Sequence, residues 1–217
     1  MPESDTSGNA PGGETGLVYV EFVSRRPGVD LHQFHAAQLQ AQAGWAGGHT
    51  EDLLIWQAAR TWRLGPEPEY LVVWYTPGCG LERIDEWDRI FRAGGDDHHE
   101  RPARQVARID VAGCYTALRP PVAARKGSYY AEFFAPTGTP DAVRELYDRR
   151  AALHPRLTLN LLACRIGHLA PNPGGLAVWT LPDFASLAEI ATDLEGMGHP
   201  VHLHQAGTYH DVGEEIL

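Results

Sequence analysis

Apolar residues fall along this chain in short blocks of two periods. Residues 17–24, Leu-Val-Tyr-Val-Glu-Phe-Val-Ser, are rich in β-formers and are closed by Pro27 and Gly28, which reads as a strand. Asp30 can cap a helix running to about Trp45, with Leu31, Phe34, Ala41 and Trp45 on one face. Residues 53–64 and 70–76 read as two strands joined by the turn Gly65-Pro66-Glu67-Pro68. Residues 81–92 read as a second helix with Ile84, Trp87 and Phe91 apolar, and residues 106–118 as a last strand.

The pattern then starts again. Leu54, Arg60, Leu64 and the Pro66-Glu67-Pro68 turn lie over Leu159, Arg165, Leu169 and Pro171-Asn172-Pro173. The same register carries Leu71, Val73, Trp74 and Pro77 onto Leu176, Val178, Trp179 and Pro182. Upstream, Tyr19-Val20-Glu21-Phe22 matches Tyr130-Ala131-Glu132-Phe133; downstream, Ala112-Gly113-Cys114-Tyr115 matches Ala206-Gly207-Thr208-Tyr209. In the second half Thr139 precedes Pro140 as cap and first helical residue, Asp183 caps a later helix, and Gly196 ends it. The order β-α-β-β-α-β, written twice, is the split-βαβ ferredoxin-like pattern. It divides the chain into a disordered tail (1–16), a first module (17–118), a linker (119–128) and a second module (129–217).

A single such module leaves one sheet face bare, and a second copy can cover it. On these residues the chain resembles the dimeric α/β-barrel superfamily in a single-chain, tandem form. Arg25-Arg26-Pro27-Gly28 followed by a helix with Phe34 resembles the opening of EthD-type domains. Leu176-Ala177-Val178-Trp179 followed by Phe184-Ala185-Ser186-Leu187 resembles NIPSNAP and antibiotic-biosynthesis monooxygenase domains. The resemblance implies an α+β fold of two ferredoxin-like modules whose antiparallel sheets pack together as an α/β barrel. It also implies a cofactor-independent oxygenase, isomerase or cyclase in which a pocket His deprotonates an aromatic, polyketide-like or enolisable substrate. A haem- or metal-dependent enzyme of the same fold and a non-catalytic small-ligand carrier are the alternatives.

Candidate chemistry follows from residues that break the apolar pattern. Glu21 and Glu132, and Arg60 and Arg165, are charges inside strands, costly unless paired. They are expected to form a network where the two sheets meet, or to bind an acidic or phenolic substrate. Alternation puts Trp56, Arg60 and Trp62 on one strand face. Of 11 histidines, His98 and His99 fall in an acidic segment read as a loop, and His199, His202 and His204 cluster before the last strand, a possible metal-ligand set. By element position the first module's pocket would contain His35, Trp45, Trp56, Trp62 and Tyr70, and the second's Tyr147, His154, His168 and His204. His35 and His204 are the expected general bases, with Arg60 orienting a substrate anion.

Composition narrows the classes further. The chain has 217 residues and a net charge of -10, with no basic stripe, which argues against nucleic acid or an anionic membrane as partner. No apolar run reaches the roughly 20 residues a membrane helix needs. Cys79, Cys114 and Cys164 lack metal spacing and suit reduced thiols in the cytoplasm. GxGxxG, Walker, GxSxG and HExxH motifs are absent, which argues against nucleotide-driven chemistry, serine hydrolysis and zincin proteolysis. The expected partner is a small-molecule substrate, and the expected state a monomer or homodimer.

Overall fold

The computed structural model describes residues 16–61, 69–93, 97–122, 127–167, 174–191, 193 and 200–211, without the side chains of residues 55, 91 and 97–101. The first half contains β1 (Leu17–Arg25), α1 (Leu31–Gly48), β2 (Leu53–Arg60), β3 (Tyr70–Thr76), α2 (Glu82–Arg92), α3 (Asp97–Val106) and β4 (Ala107–Ala117). The second contains β5 (Ser128–Pro136), α4 (Pro140–Leu153), β6 (Thr158–Arg165), β7 (Gly175–Leu181), α5 (Leu187–Ala191) and β8 (Val201–Asp211). The chain thus has a ferredoxin-like α+β fold. No described helix is long and apolar enough to cross a membrane.

The eight strands form one closed antiparallel barrel in the order β1-β3-β2-β8-β5-β7-β6-β4. Within it the halves have matching orders, β4-β1-β3-β2 and β8-β5-β7-β6. Their registers match as well: Glu21 pairs with Val72 and Ala112, and Glu132 with Ala177 and Ala206. Even the irregularities coincide, at Leu54/Trp56 in one half and Leu159/Leu161 in the other. The sheets do not stack face on face as two separate layers. They join edge to edge, through Ala58–Arg60 with Tyr209–Asp211 and through Tyr115–Ala117 with Ala163–Arg165. Closure pairs strand edges that an open sheet would expose, and it buries each inner face against the opposite wall.

Alternation along each strand sorts side chains between barrel interior and helix layer. Val18, Val20 and Phe22 point inward with Trp56, Ala58, Tyr129, Ala131, Phe133 and Tyr209. The rings of Phe22 and Phe133 lie 5.7 Å apart within this core. Tyr70, Val72 and Trp74 point outward to α1, and Ala177 and Trp179 outward to α4 and α5. Burying an aliphatic or aromatic side chain of this size contributes about 1.5–3 kcal/mol, so three such cores account for the fold without a disulfide.

Local signals explain the helices. Asp30 accepts hydrogen bonds from the amides of His32 and Gln33, and Thr139 from that of Ala142. Asp183 caps a short 3-10 turn, Phe184–Ser186, which leads into α5; Gly196 lies outside the described residues. Strand β2 ends at Arg60, earlier than the expected residue 64. The segment read as an acidic loop around His98 and His99 is instead α3, with Pro102 inside it.

Candidate functional site

Between the outer face of the first half-sheet and helices α1, α2 and α3 lies a cavity of about 500 Å³. Its sheet side carries Tyr19 and Glu21 of β1, Trp74 of β3 and Cys114 of β4. Helix α1 contributes Gln38, Ala41, Gln42 and Trp45, and α2 contributes Ile84, Trp87 and Asp88. Arg26, Arg104 and Arg108, all exposed, stand on the side formed by α3 and the start of β4. Four aromatic rings and a few polar groups make this a concave, largely apolar site of the size small ligands use.

A buried carboxylate holds two of those rings in place. Asp52 follows α1 and is 3% exposed. It accepts hydrogen bonds from Trp45 Nε1 (3.1 Å), Trp87 Nε1 (3.1 Å), Thr76 Oγ1 (2.7 Å) and the Arg83 guanidinium (2.8 and 3.1 Å). Arg83 also reaches Glu51 at 2.6 Å and pairs with Glu86. Burial acts to raise the Asp52 carboxyl, but the hydrogen bonds from Arg83, Thr76 and Trp87 outweigh it and hold the group below its ordinary value. One ionised side chain therefore sets the orientation of both indoles. Trp45 stacks on His49 at 4.1 Å, and Trp87 lies tilted against Tyr19 at 5.3 Å. Cys114 is a neutral thiol here, because burial pushes it up to about 11.

The corresponding space in the second half is filled. Arg150 of α4, fully buried, donates to both Glu132 oxygens at 2.8 Å and to Asp193 at 3.0 Å. Its guanidinium lies over the rings of Tyr147 (4.9 Å) and Trp179 (5.3 Å), and Trp179 Nε1 donates to Glu132 at 3.2 Å. Glu132 is thus neutralised within its own half, not across the barrel by Arg60 or Arg165. Glu21 and Glu132 point to the helix layers, whereas alternation places Arg60 and Arg165 on the inward side, so the two pairs of charges face opposite sides of the barrel wall instead of meeting where expected. The guanidinium of Arg60 lies beside Gly207, next to the buried ring of Tyr209.

Of the sequence-predicted pocket residues that are described, Trp45 alone lines the cavity. His35 is 3% exposed and packs against the rings of Phe34 and Tyr70, at 5.6 and 5.9 Å. Tyr70 is itself core, its phenol raised well above the ordinary value by burial and by Asp211, with its hydroxyl donating to Gln57 at 3.4 Å. Trp56 points into the barrel, edge-on to Tyr129 and Tyr209. Tyr147 stacks on Phe134, and His154 caps α4 with Nε2 2.9 Å from Asp193. His202 and His204 are exposed on β8, their rings 5.4 Å apart. Trp62, His168 and His199 lie outside the described residues. Sequence reading missed Asp52, Arg83, Trp74, Trp87 and Arg150 as a set. Along the chain Trp87 reads only as an apolar helix position and Trp74 as the match of Trp179, and nothing local marks Asp52 as a hub.

Among the described residues no group of three or more His, Cys, Asp or Glu is placed to hold a metal ion. A haem iron needs an axial imidazole, thiolate, thioether or phenolate. The described lining has no histidine or methionine; its thiol, Cys114, is buried in the sheet floor, and its phenol, Tyr19, packs against Trp87. These residues do not fit a haem bound in this cavity.

The chain matches no protein-family model and no curated protein sequence. Its architecture does match solved structures. A candidate chlorite dismutase superposes with a TM-score of 0.59 at 10% identity, covering 92% of this chain and 95% of that one. A variant of the chlorite dismutase from Candidatus Nitrospira defluvii gives 0.56 at 8% identity, with 94% of each chain covered. A candidate monooxygenase from Fusobacterium nucleatum gives 0.52 at 9% identity, covering 91% and 90%. At these identities the likeness is one of fold: an α+β barrel that chlorite dismutases and candidate monooxygenases share.

Proposed function

We propose that this chain is a small-molecule enzyme of the oxygenase or isomerase/cyclase kind, with the first-half cavity as its substrate site. The observation that carries the reading is the asymmetry of the halves. Matching registers bring similar floors together in both, yet one is packed shut around Arg150 and the other opens into an aromatic-walled cavity of about 500 Å³. We read residues 17–118 and 129–217 as tandem copies of one module, of which the second supplies scaffold and the first supplies the site. The rings of Tyr19, Trp45, Trp74 and Trp87 suit a planar aromatic or enolisable substrate. The described lining offers Glu21 and Asp88 as groups able to take a proton, in place of the imidazole that the family resemblance implies.

Thermal unfolding with a panel of planar aromatic compounds, read alongside tryptophan fluorescence, tests this. Binders are expected to raise the melting temperature by several degrees and to quench the wall indoles. Ala41→Phe, which fills the cavity from α1, is expected to abolish both effects while the protein stays folded. Binding that survives Ala41→Phe would place the ligand elsewhere. A stoichiometric Soret band in the purified protein would replace this reading with the haem-dependent alternative.

A further inference from the structure

We propose that the ligand of this cavity carries a planar cationic group, an amidinium, guanidinium or protonated nitrogen heterocycle, held between Glu21 and Trp74. This deepens the reading of the cavity as the substrate site and rests on it. The argument uses the second half of the chain as an internal template. Glu21 and Glu132 occupy the same register position, and Tyr19 pairs with Trp74 as Tyr130 pairs with Trp179. Helices α1 and α4 can be aligned from their capping residues, Asp30 and Thr139. Counting eight residues on brings Gln38 over Tyr147, and counting eleven brings Ala41 over Arg150.

The second half therefore shows what this floor binds. Its carboxylate takes a guanidinium through two 2.8 Å hydrogen bonds, and its tryptophan lies 5.3 Å from the guanidinium carbon. Bidentate carboxylate pairing and stacking on an aromatic face are both favoured by a flat, delocalised cation. The first half keeps the carboxylate and the tryptophan but replaces the arginine with Ala41 and the tyrosine with Gln38. Space opens where the guanidinium would be, and the receptor groups remain on its wall. Glu21 also interacts with its protein neighbours, so a ligand cation shares or exchanges that contact. The competing attraction is for an anion at Arg26, Arg104 and Arg108. All three are exposed, and Arg26 Nε already donates to the carbonyls of Arg104 and Ala107 at 3.0 Å.

Calorimetric titration of the full chain with benzamidine, neutral benzamide and anionic benzoate decides between these. Benzamidine is expected to bind at least tenfold tighter than benzamide, with benzoate weakest. Glu21→Gln is expected to bring benzamidine down to the level of benzamide, and Ala41→Arg, which restores the missing plug, to exclude all three. If Glu21→Gln fails to fold, Glu21→Asp serves instead: it keeps the charge, retracts it, and is expected to weaken benzamidine selectively. A benzamidine preference that survives loss of Glu21, or a preference for benzoate, overturns the proposal. Equal binding of benzamidine and benzamide also overturns it, while leaving the cavity as a ligand site. Absence of binding by all three to the folded protein removes both readings.

Discussion

Replacing Arg150 with alanine is expected to destabilise the protein by about 3–5 kcal/mol, because it strands a buried carboxylate. Both partners are fully removed from water in the native state: the side chains of Arg150 and Glu132 are each 0% exposed. Glu132 would keep the Trp179 indole at 3.2 Å but lose both charged donors. Asp193 and the rings of Tyr147 and Trp179 would lose their shared contact as well. Breaking the pair is different from removing it. Arg150→Met combined with Glu132→Gln takes out both charges at similar volume, and this double variant is expected to recover most of the loss. Urea unfolding of the two variants measures the comparison. A single variant within 1 kcal/mol of the parent would mean that water reaches Glu132, and the second half would then not be the closed counterpart of the first.

Much of the scaffold is legible along the chain because its signals are local. Asp30, Thr139 and Asp183 announce helix starts through side-chain oxygens placed before amides that need acceptors. The match of Glu21 with Glu132 and of Trp74 with Trp179 anticipates the common strand register. Helix α3 is less legible, because its Pro102 reads as a breaker and its charged run as solvated loop.

The site is least legible of all, because each of its parts depends on register between distant elements. Alternation places Trp56 and Arg60 on a common face, but that face is the barrel interior and not the ligand side. Glu21 and Arg60 are parted in the same way: they stand on β1 and β2, which β3 separates, and face opposite sides of one sheet. The decisive difference between the halves is an alanine. Ala41 is unremarkable within α1, and it gains meaning only under the proposed reading of the halves as copies, in which α4 carries Arg150 at the matching position.

Asp52 is the second position where one substitution should have a large effect. Asp52→Asn is expected to cost about 3 kcal/mol, the lower end of the range for breaking a buried pair, since Arg83 retains the half-exposed Glu51 and Glu86. It is also expected to weaken aromatic ligands in the cavity at least tenfold, because an amide cannot accept from two indoles, a hydroxyl and a guanidinium with the strength of a carboxylate. The pH dependence fixes the sign independently. The folded carboxyl sits below its ordinary value, which is about 3.9 in an unfolded chain. Its contribution is therefore complete above about pH 4 and is lost as pH falls through the lower, folded value. Stability measured by urea unfolding should fall on acidification through this window in the parent protein, and the fall should be shallower in Asp52→Asn. Equal acid limbs in the two proteins would show that Asp52 is not the charge on which the wall of the cavity depends; a shallower limb together with lost ligand affinity would tie the orientation of Trp45 and Trp87 to that one ionised group.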